Sequence, residues 1–192
     1  MTDSAKPAVA DIQAVLTPAA VRQLQVIQTA LTLSVLLFLA ALVAFWAFSA
    51  PADHSGSELL PLLSIVHAFI AFSTYSVSTL LYNMQFAPDR LRSLLVFPDS
   101  SGSTNGRETA EGFLGLFRSA LIIRLALFES AACFGLVVCG IAVASGVITT
   151  QPEYWFNTTT TLVLLVFSLL TFPTRERLQW IFEEKLGQRV PS

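Results

Sequence analysis

Residues 29–48 read TALTLSVLLFLAALVAFWAF, twenty positions without a charge. A helix needs roughly 20 apolar residues to cross the hydrocarbon core of a bilayer, so this stretch sets the solvent of the fold as lipid. Three further runs, 60–81, 125–148 and 156–172, have the same character. The predicted fold class is therefore an all-α membrane protein with four transmembrane helices.

Charge gives the orientation. Of the eleven basic residues, Lys6 and Arg22 precede the first run, and Arg90, Arg92, Arg107, Arg118 and Arg124 lie between the second and third. Arg175, Arg177, Lys185 and Arg189 follow the fourth. The connections around 53–58 and 149–154 hold only acidic or neutral residues, which by the positive-inside rule places both termini in the cytoplasm and the chain in the cell inner membrane. Hydrophobic residues make up 54% of the chain and charged ones 12%, against about 25% charged in soluble domains, so a soluble or nucleic-acid-binding class is not expected. The first run follows a long, partly helical lead. It is expected to be retained as a span, since a secretory signal has a short basic start and a brief apolar core.

The organisation follows from the punctuation. Residues 1–16 form a polar N-terminal segment with one modest apolar face at Val9, Ile12, Val15 and Leu16. Residues 17–98 form a first hairpin, which Thr17 and Pro18 open as an N-cap and first-turn pair. Residues 99–108 form a cytoplasmic loop of turn-forming residues. Residues 109–186 form a second hairpin, whose first helix is expected to start near Thr109 or Glu111 and reach about Ile148. It closes with an amphipathic helix over 174–186 that carries Trp180 at headgroup level, ahead of a tail at 187–192. The two hairpins look like copies. Ile27–Phe45 aligns with Ile123–Ile141 through identities such as Ala30 with Ala126 and Ser34 with Ser130, and each half ends in Pro-x-Arg-x-Arg, at Pro88 and at Pro173. Copies with equal orientation make a parallel internal repeat.

Ionisable groups inside lipid are expensive, which singles out Glu129, Arg124 and His67. Arg124 sits at the span boundary, where its side chain can reach the headgroups. Glu129 lies deeper, and the polar stripe of the second span brings Thr74, Tyr75 and Ser78 to its level, so their hydroxyls are its expected partners. Those four residues are the candidate ion or proton site. The alternative for Glu129 is a hydrogen-bonded lock between helices. His67 falls about 15 Å from that level and is read as a packed polar residue, without a direct bond to Glu129. Asn157-Thr158-Thr159 matches a glycosylation sequon but opens the fourth span, and is read as helix entry. Cys133 and Cys139 lie about 9 Å apart along one helix, too far for a disulfide, and read as packing residues. No metal, cofactor or nucleophile motif is present, so catalysis is not expected.

The stretches RSALIIRLALFESAACFGLVV, 118–138, and FPTRERLQW, 172–180, resemble uncharacterised small four-span bacterial membrane proteins. The series Ala126, Glu129, Ala131, Ala132 and Gly135 is also similar to the carboxylate helix of the rotary ATPase subunit c, or proteolipid, family. That resemblance implies a ring in which Glu129 carries protons or sodium. The chain departs from that family in having its carboxylate on the first helix of its hairpin and in lacking the glycine-repeat helix. The residues by themselves favour a non-catalytic component that packs with itself or a larger membrane complex, with ion-coupled transport through Glu129 as the alternative.

Overall fold

The computed structural model describes residues 9–49, 57–87, 90–91 and 106–187, and among them every regular element is helical. In chain order these are α1 (Val9–Val15), α2 (Pro18–Phe48), a 3₁₀ turn (Ser57–Leu59), α3 (Leu60–Gln85), α4 (Gly106–Ala144), 3₁₀ turns at Val147–Thr149 and Pro152–Thr158, α5 (Thr159–Leu170) and α6 (Arg175–Gly187). Three of them, α2, α3 and α4, are long and apolar enough to cross a membrane. A fourth span is reached if Pro152–Leu170 and Arg175–Lys185 are counted together across their break.

Local chemistry accounts for the ends. Ala20 N–H donates to Thr17 Oγ1 at 3.2 Å, the N-cap bond expected of Thr17, and Pro18 takes the first helical position. The helix of the third apolar run starts earlier and stops sooner than the sequence predicts. Gly106 opens α4, and after Ala144 the chain turns at Gly146, whose φ of 71° is left-handed and ends the helix four residues short of Ile148. The last apolar run does not start as an α-helix. Pro152 begins a 3₁₀ segment, and the α-helix follows only at Thr159. The expected loop at 99–108 lies outside the described residues up to 105, and its last positions are already helical. Residues 1–8, Pro88, Arg92 and the tail from 188 also lie outside them.

The described chain divides into two compact units. One holds 9–27, 80–87, 90–91, 106–122 and 172–187. Its core is aromatic: Phe113 meets Phe182 edge-on at 4.5 Å and Phe86 at 5.6 Å, with Ile12, Leu16 and Leu178 buried around them. Ile12 and Val15 of α1 and the adjoining Leu16 are buried, as are Leu178 and Phe182 of α6, while Trp180 is exposed.

The other unit holds 28–49, 57–79 and 123–171. Its apolar and polar residues are distributed inside out. Phe48, Phe69, Phe72, Phe156 and Leu169 are each more than 70% exposed, whereas Gln28, His67, Ser78, Asn157, Thr160, Thr161 and Ser168 are buried. Large exposed apolar patches destabilise a protein in water, but in hydrocarbon they cost nothing, and helix contacts there select small and hydrogen-bonding residues. Ala131, Ala132, Ala142 and Cys139 on α4 are fully enclosed, as such packing requires. Trp46 and Trp155 meet edge to face at 5.8 Å, joining the end of α2 to the 3₁₀ turn at Pro152–Thr158.

Candidate functional site

Polar side chains of the apolar unit gather into three groups. The most enclosed is centred on His67 of α3. Asn157 Nδ2 donates to Tyr154 O and to Ser64 Oγ, both at 3.0 Å, and because a carbonyl oxygen only accepts, the amide is oriented with Oδ1 toward the imidazole. His67 Nδ1 lies 2.8 Å from that oxygen and therefore carries the hydrogen. In the neutral ring Nε2 is then the acceptor, and Thr160 Oγ1 stands 3.2 Å from it. Both nitrogens are thus engaged by the last apolar segment.

Gly135 makes that approach geometrically available. A Cβ at this position would overlap the carbonyl oxygen of Asn157 and stand 2.8 Å from His67 Cε1 and Nε2, so α4 passes the site with only a hydrogen in the gap. Phe134 lies beside the imidazole, with ring centroids 6.0 Å apart.

A second group joins α2 to α5. Gln28, 1% exposed, donates through Nε2 to Ser168 O at 2.6 Å and to Ser168 Oγ at 3.1 Å. Thr32 Oγ1 lies 2.5 Å from Ser168 Oγ and donates to Gln28 O at 2.9 Å. One turn of α2 is thereby tied to one turn of α5.

Glu129 belongs to neither group. Ser34 Oγ of α2 donates to Glu129 Oε1 at 2.6 Å, and it shares its one hydrogen with Leu31 O at 2.8 Å. None of the expected partners bonds it among the described residues. Thr74 donates to Ile70 O and Ala71 O of its own helix, Tyr75 packs edge-on against Phe128 at 4.8 Å, and Tyr75 Oη and Ser78 Oγ are buried with no hydrogen-bond partner among the described residues. The four-residue set read from sequence is therefore not assembled. Rise per residue alone gives the level along the span, whereas rotation about the helix axis directs Glu129 toward α2. Ser34 is exposed and Glu129 only half-buried, so the pair lies at the surface of its unit. Arg124, near it in sequence, lays its guanidinium over the Phe167 ring at 4.6 Å and the Phe128 ring at 5.8 Å.

No family model, curated protein or solved structure matches this chain. The chemistry must be read from the groups themselves. Among the described residues no cluster of His, Cys, Asp and Glu is arranged to hold a metal ion. Cys139 Sγ donates to Tyr154 O at 3.1 Å, a packing contact that supports the turn presenting Asn157.

Asn157 and Gln28 were not singled out from sequence as site residues. Asn157 was hidden by its sequon, although it falls in the run Asn157–Thr161 that enters an otherwise apolar span. Gln25, Gln28 and Thr32 recur at helical spacing at the start of α2, a polar stripe that marks an inward face once the solvent is recognised as lipid.

Proposed function

We propose that the chain is a small, non-catalytic protein of the bacterial inner membrane that packs against itself or a larger membrane complex. The observation that carries this reading is the use of its buried polar groups. His67, Asn157, Thr160, Gln28, Thr32 and Ser168 bond one another across helices, so the side chains best suited to chemistry serve as interhelical ties. A partner is favoured by Glu129 and Ser34, because a carboxyl at the surface of an apolar unit is stabilised when another helix covers it. The basic residues, restricted to one side of the spans, put both termini in the cytoplasm, and the two Pro-x-Arg-x-Arg endings group the spans as tandem hairpins.

Solubilisation in a mild neutral detergent tests the reading. Recovery in a discrete assembly larger than one chain is the expected result, and a lone monomer without partners overturns it. A cysteine introduced by Ser103→Cys should react only with reagents that reach the cytoplasmic side.

The second reading is a proton- or ion-coupled transport component using Glu129, favoured by the same surface position, which leaves the carboxyl open to exchange. A dicyclohexylcarbodiimide-type reagent separates the two. Modification of Glu129 that depends on pH supports transport, and an inert carboxyl supports the structural role.

A further inference from the structure

A groove of about 320 Å³ runs between the α1–α2 corner and the first turns of α4. Its volume lies at the small end of the range for ligand sites, roughly 300–1,000 Å³. Val15, Leu24 and Leu114 give it an apolar floor, and Val15 and Leu24 are themselves buried. The polar groups are concentrated at its ends. At one end Arg107 Nε is paired with Glu111 Oε1 at 3.0 Å, which neutralises both. At the other, Arg118 Nη1 donates to Gln23 Oε1 at 3.2 Å, and this contact directs the Gln23 amide N–H groups away from the guanidinium while leaving the rest of its fork for a second acceptor.

We propose that this groove binds a free fatty acid, with its carboxylate on the remaining guanidinium N–H groups of Arg118 and its acyl chain along the apolar floor. The charge count selects the class. Arg107 and Glu111 cancel, so the lining carries one net positive charge, at Arg118, which matches a monoanion and leaves half the charge of a phosphate monoester unbalanced. Geometry agrees, because a planar guanidinium receives a carboxylate through two parallel N–H bonds. Length sets a limit as well. Arg107 and Arg118 are separated by about 16 Å along α4 at about 1.5 Å per residue, so the salt-bridged end stops a medium-length chain. Gly115 keeps the wall open: a Cβ built there meets nothing within 4 Å.

The test uses the full chain in phosphatidylcholine nanodiscs and a photoreactive diazirine fatty acid, with cross-linked peptides mapped by mass spectrometry. Label is expected on the peptides containing Leu24 and Leu114, displaced by dodecanoate but not by dodecanol. Arg118→Gln should weaken dodecanoate competition about tenfold or more, the usual value of a charge-assisted hydrogen bond. Gly115→Leu should reduce labelling while leaving thermal stability unchanged, because its side chain enters the groove and not the core. Equal displacement by dodecanol, or an Arg118→Gln protein that competes like the parent, overturns the proposal. Preferential displacement by dodecyl phosphate overturns the choice of a carboxylate.

Discussion

Gly135→Ala is the substitution on which the geometry of the His67 group can be judged most sharply. The added methyl overlaps the Asn157 carbonyl oxygen and comes within 2.8 Å of the imidazole, and the first of these is backbone, which cannot swing aside as a flexible side chain does. Overpacking of this kind costs about 1–3 kcal/mol. Separation of α4 from the last apolar segment also strains the Asn157–His67–Thr160 chain, and each buried group left without a partner adds about 1–3 kcal/mol. Alanine returns roughly 0.5–1 kcal/mol through its better helix propensity. The net expectation is a destabilisation of about 2–4 kcal/mol. Gly115→Ala is the control on the same helix: its methyl has open space, so only the propensity gain applies and stability should be unchanged or slightly higher. Equilibrium unfolding in mixed micelles, monitored by tryptophan fluorescence, gives both values. If Gly135→Ala falls within about 0.5 kcal/mol of Gly115→Ala, α4 does not approach His67 as described and the reasoning fails.

Asn157→Ala removes the acceptor of the His67 Nδ1 hydrogen and the donor to Ser64. In its neutral form the imidazole, held as the Nδ1–H tautomer in the parent, should then populate both tautomers, a change that nitrogen NMR shifts of labelled histidine resolve directly. Cys139, fully enclosed and bonded to Tyr154 O, should react with a membrane-permeant maleimide far more slowly than the half-buried Cys133; equal rates by mass spectrometry would contradict its enclosure. Thr17→Ala deletes the cap of α2 and should lower stability by about 1 kcal/mol in the same unfolding assay, with Thr17→Ser close to neutral.

The long apolar helices α2, α3 and α4 were legible because hydropathy integrates over some twenty residues, and one misplaced polar side chain does not alter the sum. Boundaries were legible where a residue forces them, as Thr17 and Pro18 do for α2. They were missed where a single backbone conformation decides, as at Gly146, or where a 3₁₀ segment precedes the helix, as at Pro152–Thr158. The site was legible in kind more than in pairing. Buried polar residues in lipid must find partners, and His67 is buried with both ring nitrogens bonded. Which partner depends on rotation about each helix axis, and a small error there redirects a side chain to another neighbour. Glu129 is the instance: rise per residue pointed to Thr74, Tyr75 and Ser78, and rotation gives it Ser34.

The two indoles that close α2 against the 3₁₀ turn at Pro152–Thr158 have a practical consequence. At 5.8 Å between centroids and 88° between planes, Trp46 and Trp155 are near enough for their excited states to mix, so the protein carries its own optical gauge of that junction. A split circular dichroism band in the near ultraviolet would report the closed junction without any dye. Replacing either indole by phenylalanine should erase the split signal while Trp180, exposed on a separate helix, continues to emit.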